Sequence, residues 1–573
     1  MRYVQHVPEM PDVYGADRLL RAHLDRVLGD PGHAKAAPLL DALGREITES
    51  LRAAATDAEA HPPVLRQYDG WGRRIDTIDT SAGWETHRRA ATRHGLAQLP
   101  YEDGARAEWG AGARVVQHAL LHIYAPESAT YSCPVAMTDG AIAVLRAPGV
   151  DRSLQDRLLP RLLSRDPETA WTSGQWMTET EGGSDVGRAS TRAEWADGAW
   201  RLYGEKWFCS STASELAIAL ARPAGAPDGS RGLACFVVPR YAGVLDGAIA
   251  DERVTSADLY VHRLKDKLGT RALPSGEVGL DGVVVAPVGD PAVPGLHRML
   301  VLVQITRLHN AAAAAAGMRH GLLRAVAYAG AREAFGSRLD RQPLHRETLG
   351  WLAVDADAAF ALTALCFELL GRSEKGDESA GRLLRIAAPL AKARTARLAV
   401  AAASEYVESF GGPGYVEDTG IPRLLRDAQV LPIWEGTTNV LSLDVLRALS
   451  RDDALSPYVG FVDEAIAASD PVLGEVAATC AAARRRVADA AEVAQRDPGG
   501  AGTQARARGL MTDMADLLAA AALLRQATWD AARGDDRLAL VVRLWTERRL
   551  AGTAIAGAAH ENFEQLVGHP SAR

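Results

Sequence analysis

The chain has 573 residues, which corresponds to about three or four domains of ordinary size. Apolar residues make up 47% and charged residues 24%, a globular composition that excludes a disordered or collagen-like chain. The net charge of −8 argues against a surface that binds nucleic acid strongly over a large area.

Five scattered cysteines, no two of them in a Cys-x-x-Cys spacing, favour a reducing compartment over a disulfide-rich secreted protein. The first eight residues lack the apolar core of a signal peptide. Apolar runs in the sequence are also shorter than the roughly 18 residues that a transmembrane helix needs. We therefore expect a cytoplasmic protein without a membrane partner.

The hydrophobic period predicts helices up to about residue 168. Apolar side chains recur every 3.6 residues from Leu19 to Leu28 and from Leu39 to Leu51, and a further helix is expected over Ser153–Leu163. Turn or linker signals separate these stretches at 29–32 and 61–63. The first segment is therefore predicted to be an N-terminal helical domain.

From about 171 to 290 the pattern changes to strands. Ser190–Trp195 and Ala199–Phe208 flank Asp197-Gly198, a dipeptide typical of a tight hairpin. Two further strands are predicted over 232–239 and 276–285. These strands form a middle β domain.

Beyond about 294 the helical period returns, with helices expected over 300–334, 352–370, 383–410 and most of 451–573. Strands grouped between two helical regions argue against an alternating Rossmann-like parallel sheet. The predicted fold class is α+β, mainly α.

Simple catalytic motifs are missing from the sequence. There is no P-loop, no Gly-x-Gly-x-x-Gly after a strand, no His-Glu-x-x-His and no Gly-x-Ser-x-Gly, and the 15 histidines show no metal-ligand spacing. We therefore predict no metal site.

Three segments carry chemical information. The Gly-Gly-Ser-Asp turn at 182–185 lets backbone N–H groups approach a diphosphate, although such a turn is often only a turn. The aromatic strand 204–211 ends in hydroxyls and suits a flat cofactor, although it equally suits a packed core. Glu435 lies between Trp434 and Gly436, and desolvation by apolar neighbours would make its carboxylate a stronger base.

In this order the segments resemble the acyl-CoA dehydrogenase family of flavoproteins, over about 100 to 450. Within that family the chain looks most like the AidB-type branch of the alkylation response, because of the glycine pair, the run 204–210, Arg263–Gly269 and both terminal extensions. The motifs that carry the resemblance are Met177-Thr178-Glu179, Gly182–Asp185, Lys206–Ser210, Ala331–Gly336, Gly411–Gly414 and Trp434–Thr437.

The resemblance implies an acyl-CoA dehydrogenase-like fold, with FAD held between the middle domain and the C-terminal helices and partly by a neighbouring subunit. The implied boundaries are a helical arm and domain 1–168, a middle β domain 169–290, a four-helix domain 291–450 and an additional helical domain 451–573. The implied cofactor-binding residues are Met177, Thr178, Gly183, Ser184, Phe208, Ser210, Arg332, Phe335, Gln342, Gly411, Gly412, Thr437 and Asn439.

The resemblance also implies the reaction. Glu435 matches the catalytic base that removes the α proton of an acyl thioester, while a hydride leaves the β carbon for flavin N5, and Arg307 matches an arginine close to that base. The expected partners are an acyl thioester of CoA or a carrier protein, an electron acceptor such as an electron-transfer flavoprotein or O2, and three further copies in a homotetramer. Glu408 and Ala334 depart from residues common in the family at FAD contacts.

Two alternatives stay open. One is an AidB-like protein of the DNA alkylation response that binds nucleic acid through arginine clusters at 484–486, 506–508 and 548–549. Residues 451–573 contain 14 arginines and no lysine against 17 acidic residues, a net charge of −3 that disfavours this role. The other is an oxygen-using flavin monooxygenase, against which the retained Glu435 counts.

Overall fold

The computed structural model describes residues 10–249 and 254–568. These residues form two compact units, which meet in the sequence at Arg45/Glu46, Ala105/Arg106, Pro126/Glu127 and His309/Asn310. The helical unit comprises the residues up to Arg45, Arg106–Pro126 and the residues from Asn310 on. The mixed unit comprises Glu46–Ala105 and Glu127–His309. Residues 1–8, on which the expectation of no signal peptide depends, lie outside the described residues.

Helices make up most of the chain. Their bounds are α1 Arg18–Glu46, α2 Arg52–Ala60, α3 Ala82–Arg93, α4 Asp103–Trp109, α5 Ala113–Tyr124, α6 Ser132–Leu145, α7 Arg152–Leu162, α8 Leu296–Ala331, α9 Pro343–Glu374, α10 Glu378–Ser409, α11 Ile421–Ala428, α12 Thr438–Arg451, α13 Leu455–Ala467, α14 Gly474–Arg496, α15 Ala501–Ala531, α16 Arg537–Thr546, α17 Ala558–Glu561 and α18 Phe563–Val567.

Two helices of the helical unit begin at side-chain caps. Asp377 accepts a hydrogen bond from the backbone N–H of Ala380 at 3.0 Å and starts α10. Thr437 starts α12 in the same way. Such side chains satisfy N–H groups that have no partner in the first helical turn. The starts of these two helices are therefore encoded locally, whereas the packing of α9 against α10 buries the apolar side chains of both.

The residues beyond 450 are built into the helical unit. Arg525 on α15 donates to Glu368 on α9 at 2.7 Å, and Arg537 on α16 pairs with Asp357, also on α9. Trp545 donates from its indole to the carbonyl oxygen of Asp516 at 3.0 Å with both groups buried. The segment beyond residue 450 therefore packs against α9 as part of the helical unit.

The mixed unit is organised around a seven-stranded sheet of order β3-β5-β4-β6-β7-β9-β8, which curls so that β5 also pairs with β9 and β3 with β6. A two-stranded hairpin, β1–β2, and a short hairpin in the helical unit, β10–β11, lie outside this sheet. The strands are β1 Val64–Tyr68, β2 Arg74–Asp79, β3 Ser173–Trp176, β4 Arg192–Ala196, β5 Ala199–Ser210, β6 Leu216–Pro223, β7 Ala234–Pro239, β8 Leu259–Leu264, β9 Ser275–Pro287, β10 Glu333–Ala334 and β11 Ser337–Arg338.

The predicted hairpin at Asp197-Gly198 is confirmed. Both turn residues have positive φ, 52° and 78°, and Trp195 of β4 pairs with Trp200 of β5. This conformation matches the right-handed twist of the flanking strands. The α+β, mainly helical fold class is confirmed as well, since the strands of the large sheet are grouped between helical segments. The predicted domain boundaries stay predictions.

One local expectation was wrong and another was confirmed. Residues 64–79, assigned to a helical region, form β1–β2, where exposed and half-buried side chains alternate along the first strand. Here the pairing of two strands overrides a weak local signal. The turn signal at 29–32 does separate two helical stretches, because Gly29, at φ 69° and ψ 164°, is non-helical and interrupts α1 at a kink.

Within the described residues, one helix is long and apolar enough to span a membrane, α8, and 67% of its apolar window is buried inside the protein. A helix buried in this way is typical of a protein core. No group of three or more His, Cys, Asp and Glu side chains is arranged to hold a metal ion in residues 10–249 and 254–568.

Candidate active site

The glycine turn predicted to contact a diphosphate follows β3 directly. A Cβ atom on Gly182 would lie 2.5 Å from the carbonyl oxygen of Asp185, so only glycine fits at that position. Gly183 and Ser184 are exposed. The turn therefore presents its backbone and a hydroxyl to solvent, which is the arrangement an anionic ligand requires.

A buried ion pair ties this turn to strand β5. Nζ of Lys206 donates to Oε1 of Glu179 at 2.5 Å, and the same oxygen accepts from the hydroxyl of Thr191 at 2.6 Å. The backbone N–H of Trp207 donates to the carbonyl oxygen of Thr178 at 2.9 Å. Two segments that the sequence assigned separately to the cofactor are thus held together.

One face of the sheet presents predicted cofactor residues. Gln175 of β3 stands opposite Ser210 of β5, so their side chains share a face, while the neighbouring Cys209 lies in the core cluster of the unit. Phe208 is 51% exposed. The pairing of β5 with β9 slips by one residue between 206 and 209, and such a bulge re-aims side chains. The exposed ring of Phe208 and the half-buried hydroxyl of Ser210 therefore lie two positions apart on this strand, on either side of the buried Cys209.

A lysine that was not assigned a role completes this part of the sheet. Nζ of Lys265 lies 3.2 Å from the ring centroid of Trp207 and 4.6 Å from that of Phe208. It also pairs with Glu277 at 2.6 Å. A cation over an aromatic face is attracted by the ring quadrupole, so Lys265 fixes both rings from one side.

The hairpin β10–β11 carries the next predicted residues. Phe335 and Gly336 form its turn with φ of 52° and 80°, and the phenyl ring is 99% exposed. The amide of Gln342 donates to the hydroxyl of Ser337 at 2.7 Å and braces the hairpin. Arg332, just before β10, is exposed. The side chains of Arg332 and Phe335 at this hairpin are therefore exposed to solvent in the single chain.

The glycine segment after α10 is open at its start and tight at its end. Gly411 has φ 62°, and a Cβ on Gly411 or Gly412 would meet nothing within 4 Å. At Gly414 a Cβ would lie 1.9 Å from the carbonyl oxygen of Val407. Gly414 is therefore required by packing, whereas the first two glycines leave backbone accessible to a ligand. Glu408, which departs from the family pattern, is exposed.

Glu435 occupies a strained loop before α12. It has φ 56°, an uncommon conformation for a residue with a side chain, and Gly436 follows at φ 109°. Thr437 then caps α12 through the backbone N–H of Val440, and Nζ of the buried Lys392 donates to the carbonyl oxygen of Gly436 at 2.6 Å. Glu435 itself is half-buried. Strained residues of this kind cluster at functional sites.

Arg307 lies on α8 within the mixed unit and is half-buried. The helix is anchored beside it by His309, whose Nε2 lies 2.8 Å from Oδ2 of Asp139. The hydroxyl of Tyr101 donates to the other carboxylate oxygen at 2.6 Å. These buried contacts anchor the part of α8 that carries Arg307.

The structure brings predicted residues together in two groups. In the mixed unit, the turn and β5 residues adjoin through the contacts above; in the helical unit, Glu435, Thr437 and the exposed Asn439 lie at the start of α12. The hairpin and glycine segments of the helical unit are separate elements, and Arg307 is carried by the mixed unit. The residue assignments themselves stay predictions.

Three family models match the chain. The acyl-CoA dehydrogenase middle domain matches residues 174–283, and the C-terminal domain of the same family matches 294–450. The N-terminal domain of the adaptive response protein AidB matches 6–168. The chain belongs to the acyl-CoA dehydrogenase family. Within that family it is an AidB-like member, as the sequence predicted.

Curated relatives agree with this assignment. The AidB-like chain is 39% identical over 460 residues to acyl-CoA dehydrogenase family member 11 of Caenorhabditis elegans, covering 78% of this chain and 72% of the relative. It is 34% identical over 403 residues to the putative acyl-CoA dehydrogenase AidB of Escherichia coli, covering 69% and 70%. Among solved structures, Caenorhabditis elegans ACDH-11 in complex with C11-CoA superposes with a TM-score of 0.86 at 32% identity, covering 99% and 93%.

Family membership confirms the predicted fold, the oxidoreductase class and FAD as the cofactor. The residues fit FAD, since an open glycine turn and an exposed aromatic ring adjoin on one unit. The sequence analysis assigned no role to the lysines around these residues. The chain has only six lysines among 64 basic residues, and four of them, Lys206, Lys265, Lys267 and Lys392, belong to these segments or to strands and helices beside them. Because lysine is rare in this chain, the concentration of lysines in these segments was the sequence signal that could have identified them.

Proposed function

We propose that this AidB-like protein is an FAD-dependent dehydrogenase that introduces an α,β double bond into an acyl thioester. The observation that carries the proposal is the conformation of Glu435, held at φ 56° on a braced loop at the start of α12. Left-handed residues with a side chain are uncommon and cluster at functional sites, and this one lies where the family pattern places the catalytic base.

Glu435 is the base in this proposal. Its carboxylate removes the α proton of the thioester, and its own backbone N–H donates to the thioester carbonyl oxygen, where negative charge develops. Arg307 is the second active-site residue of this proposal, on the family pattern that assigns it. FAD, when bound, supplies the acceptor for the hydride that leaves the β carbon.

The cofactor is assigned to named residues of each unit. On the mixed unit, Gly183 and Ser184 would hold the diphosphate, and Phe208 and Ser210 would lie against the ring system with Met177 and Thr178. On the helical unit, the predicted contacts are Arg332, Phe335, Gln342, Gly411, Gly412, Thr437 and Asn439. The exposed Phe335 supports the expectation that a neighbouring copy receives this hairpin.

An acyl-CoA is the substrate we propose. The relative ACDH-11, which is 32% identical to this chain, was solved in complex with C11-CoA. The electron acceptor, an electron-transfer flavoprotein or O2, the homotetramer and the cytoplasmic location are further parts of the proposal that rest on the sequence alone.

Anaerobic bleaching of the flavin tests the reaction. The FAD-loaded protein is mixed with acyl-CoA esters of increasing chain length, and wild type is expected to bleach with at least one of them. Glu435→Gln is expected to bind the same ester but to bleach at least about 1000-fold more slowly, because the amide accepts no proton. Glu405→Gln, an exposed change on α10, is the matched control. Absence of bleaching in wild type with every ester would overturn the proposal.

Nucleic-acid binding and oxygen-dependent hydroxylation are the competing functions. Two of the three arginine clusters have intramolecular partners: Arg484 pairs with Asp463 at 2.6 Å, and Arg549 with Asp355 at 3.0 Å. Charges neutralised within the chain contribute less to phosphate binding. A gel shift with duplex DNA at low salt tests that alternative, and oxygen-dependent hydroxylation of small amines tests the other.

A further inference from the structure

The loop that carries Glu435 requires an external restraint. Two successive residues have positive φ, 56° at Glu435 and 109° at Gly436. A left-handed conformation costs a residue with a Cβ about 1 to 2 kcal/mol, so the loop keeps it only if surrounding contacts fix it. A Cβ on Gly436 would also lie 3.2 Å from a methyl carbon of Leu441, which leaves little freedom on that side.

Contacts within the loop secure its two ends. Before Glu435, the backbone N–H groups of Ile433 and Trp434 donate to the carbonyl oxygen of Val430 at 2.8 and 3.2 Å. After it, the backbone N–H of Leu441 donates to the carbonyl oxygen of Thr437 at 2.9 Å as α12 begins. In the centre of the loop, the carbonyl group of Gly436 is bonded from another helix, α10.

Lys392 donates a hydrogen bond to the centre of the loop. It lies on α10, 44 residues earlier in the chain, its side chain is fully buried, and its Nζ donates to the carbonyl oxygen of Gly436 at 2.6 Å. Burial of an ammonium group is costly, and a hydrogen bond from a charged donor is stronger than a neutral one. The buried ammonium group of Lys392 therefore needs polar partners, and the carbonyl oxygen of Gly436 is one of them.

We propose that Lys392 is a positioning residue for Glu435. By holding the carbonyl group of Gly436 it fixes the Gly436–Thr437 peptide plane, one residue beyond the base, and so restrains the backbone that carries the Glu435 carboxylate. Lys392 does not touch the substrate in this proposal. The proposal rests on the proposed function for its catalytic consequence, but not for its effect on the loop.

The test combines kinetics with hydrogen–deuterium exchange of the full chain loaded with FAD and of the apoprotein. Lys392→Met removes the donor, and Lys392→Gln keeps a shorter neutral donor with no buried charge, in case the methionine variant does not fold. Thr395→Val is the matched control, because Thr395 is also buried on α10 but its hydroxyl bonds to Ala391 of the same helix.

Lys392→Met is expected to speed exchange of peptides spanning 431–440 about 10-fold in both forms of the protein. It is expected to lower kcat about 10- to 100-fold with less than about 3-fold change in KM, as misplacement of a reacting group does. Lys392→Gln lies between wild type and Lys392→Met in both measurements. Loop exchange equal to that of Thr395→Val overturns the positioning role, whether or not wild type is active. Faster exchange in a protein that oxidises no acyl thioester supports the role and overturns the proposed function instead.

Discussion

Lys206 and Glu179 form an ion pair in the interior of the mixed unit, with 2.5 Å between Nζ and Oε1 and side-chain exposures of 0% and 1%. Burial raises the pKa of Glu179, but the Lys206 charge and hydrogen bonds from Lys206, Thr191 and Ser190 outweigh it and hold the pKa below its ordinary value. Burial holds the pKa of Lys206 below its usual range, and Glu179 opposes this in part. Each charge is thus tolerated because of the other.

Removal of one partner is expected to be far more damaging than removal of both. Glu179→Gln leaves a buried ammonium without its counter-charge and should lower the free energy of unfolding by about 3 to 5 kcal/mol. Denaturant unfolding of the FAD-loaded protein measures this. Because the pair joins the glycine turn to β5, the variant should also lose FAD more readily during gel filtration.

Two comparisons decide whether the pair itself is responsible. Glu205→Gln, at the exposed neighbour of Lys206, should unfold like wild type. The double variant Glu179→Gln/Lys206→Met should be more stable than the sum of its single variants predicts, because no unpaired charge is left. Strict additivity of the two changes would contradict the interpretation.

Phe208 should contribute to FAD affinity through its open ring. Phe208→Ala is expected to raise the Kd for FAD about 10-fold, because a stacked aromatic contact contributes about 0.5 to 1.5 kcal/mol beyond its buried area. Fluorescence titration of the apoprotein with FAD measures the Kd. Trp195→Ala is the control, since Trp195 is 63% exposed on the same sheet but is assigned no cofactor contact. Equal Kd values for the two variants would remove Phe208 from the site.

Elements with a strong local signal could be predicted from the sequence. The Asp197-Gly198 turn requires positive φ at both positions, and residue types that tolerate it occur there. The helices α9 and α10 have apolar faces, and Asp377 caps α10, so both helices were predicted, with the start of α9 placed at 352 and not at 343. Family motifs located Glu435 because they combine residue type with order along the chain.

Features that depend on distant partners could not be predicted. The hairpin β1–β2 is stabilised by Arg240, which donates to Thr255 at 2.9 Å and to the carbonyl oxygen of Asp76 at 2.5 Å, contacts that no local pattern encodes. The bulge at 206–209 is a shift in the pairing register of β5 with β9, so it depends on a strand far away in the sequence. The sequence around Lys392 predicts only a helix. Its contact with the carbonyl oxygen of Gly436 could not be predicted, because that residue lies 44 positions later in the chain.

Glu368 should make the largest single contribution to the attachment of α15. It accepts hydrogen bonds from Arg26 of α1 at 2.5 Å and from Arg525 of α15 at 2.7 Å. Burial raises its pKa, but the charges of Arg26, Arg525 and His23 together lower it to about 2. Glu368→Gln leaves the guanidinium groups of Arg26 and Arg525, which are 14% and 28% exposed, without this counter-charge. We expect a loss of about 3 kcal/mol in the free energy of unfolding, the lower end for a buried pair.

The pH dependence separates this ion pairing from simple packing. A carboxylate whose pKa is lowered by folding stabilises the protein above its unfolded pKa, and that contribution disappears as the pH falls toward the folded value. The difference in melting temperature between wild type and Glu368→Gln should therefore shrink from about pH 4.5 toward pH 2. Glu492→Gln, an exposed change on α14, should melt like wild type throughout. A constant difference at every pH would favour packing.

Asp530 on α15 should have the opposite pH dependence. Its side chain is 6% exposed, and the amide of Gln526 donates to its Oδ1 at 2.9 Å. Burial raises the pKa of Asp530 from 3.8 to about 6, with a smaller contribution in the same direction from Asp535, against the hydrogen bond of Gln526. The folded protein therefore holds a proton that the unfolded chain releases between pH 3.8 and 6, so the stability contributed by this group falls as the pH rises through that range.

Asp530→Asn removes this titration and keeps the oxygen that accepts from Gln526. The variant and wild type should have similar melting temperatures near pH 4, where Asp530 is neutral in the folded protein. At pH 7 to 8 the variant should be more stable by about 2 kcal/mol, because wild type must then bury a carboxylate that asparagine does not carry. Asp489→Asn, an exposed change on α14, should give no pH-dependent advantage. A gain for Asp530→Asn that is as large at pH 4 as at pH 8 would show that packing, and not the buried charge, separates the two proteins.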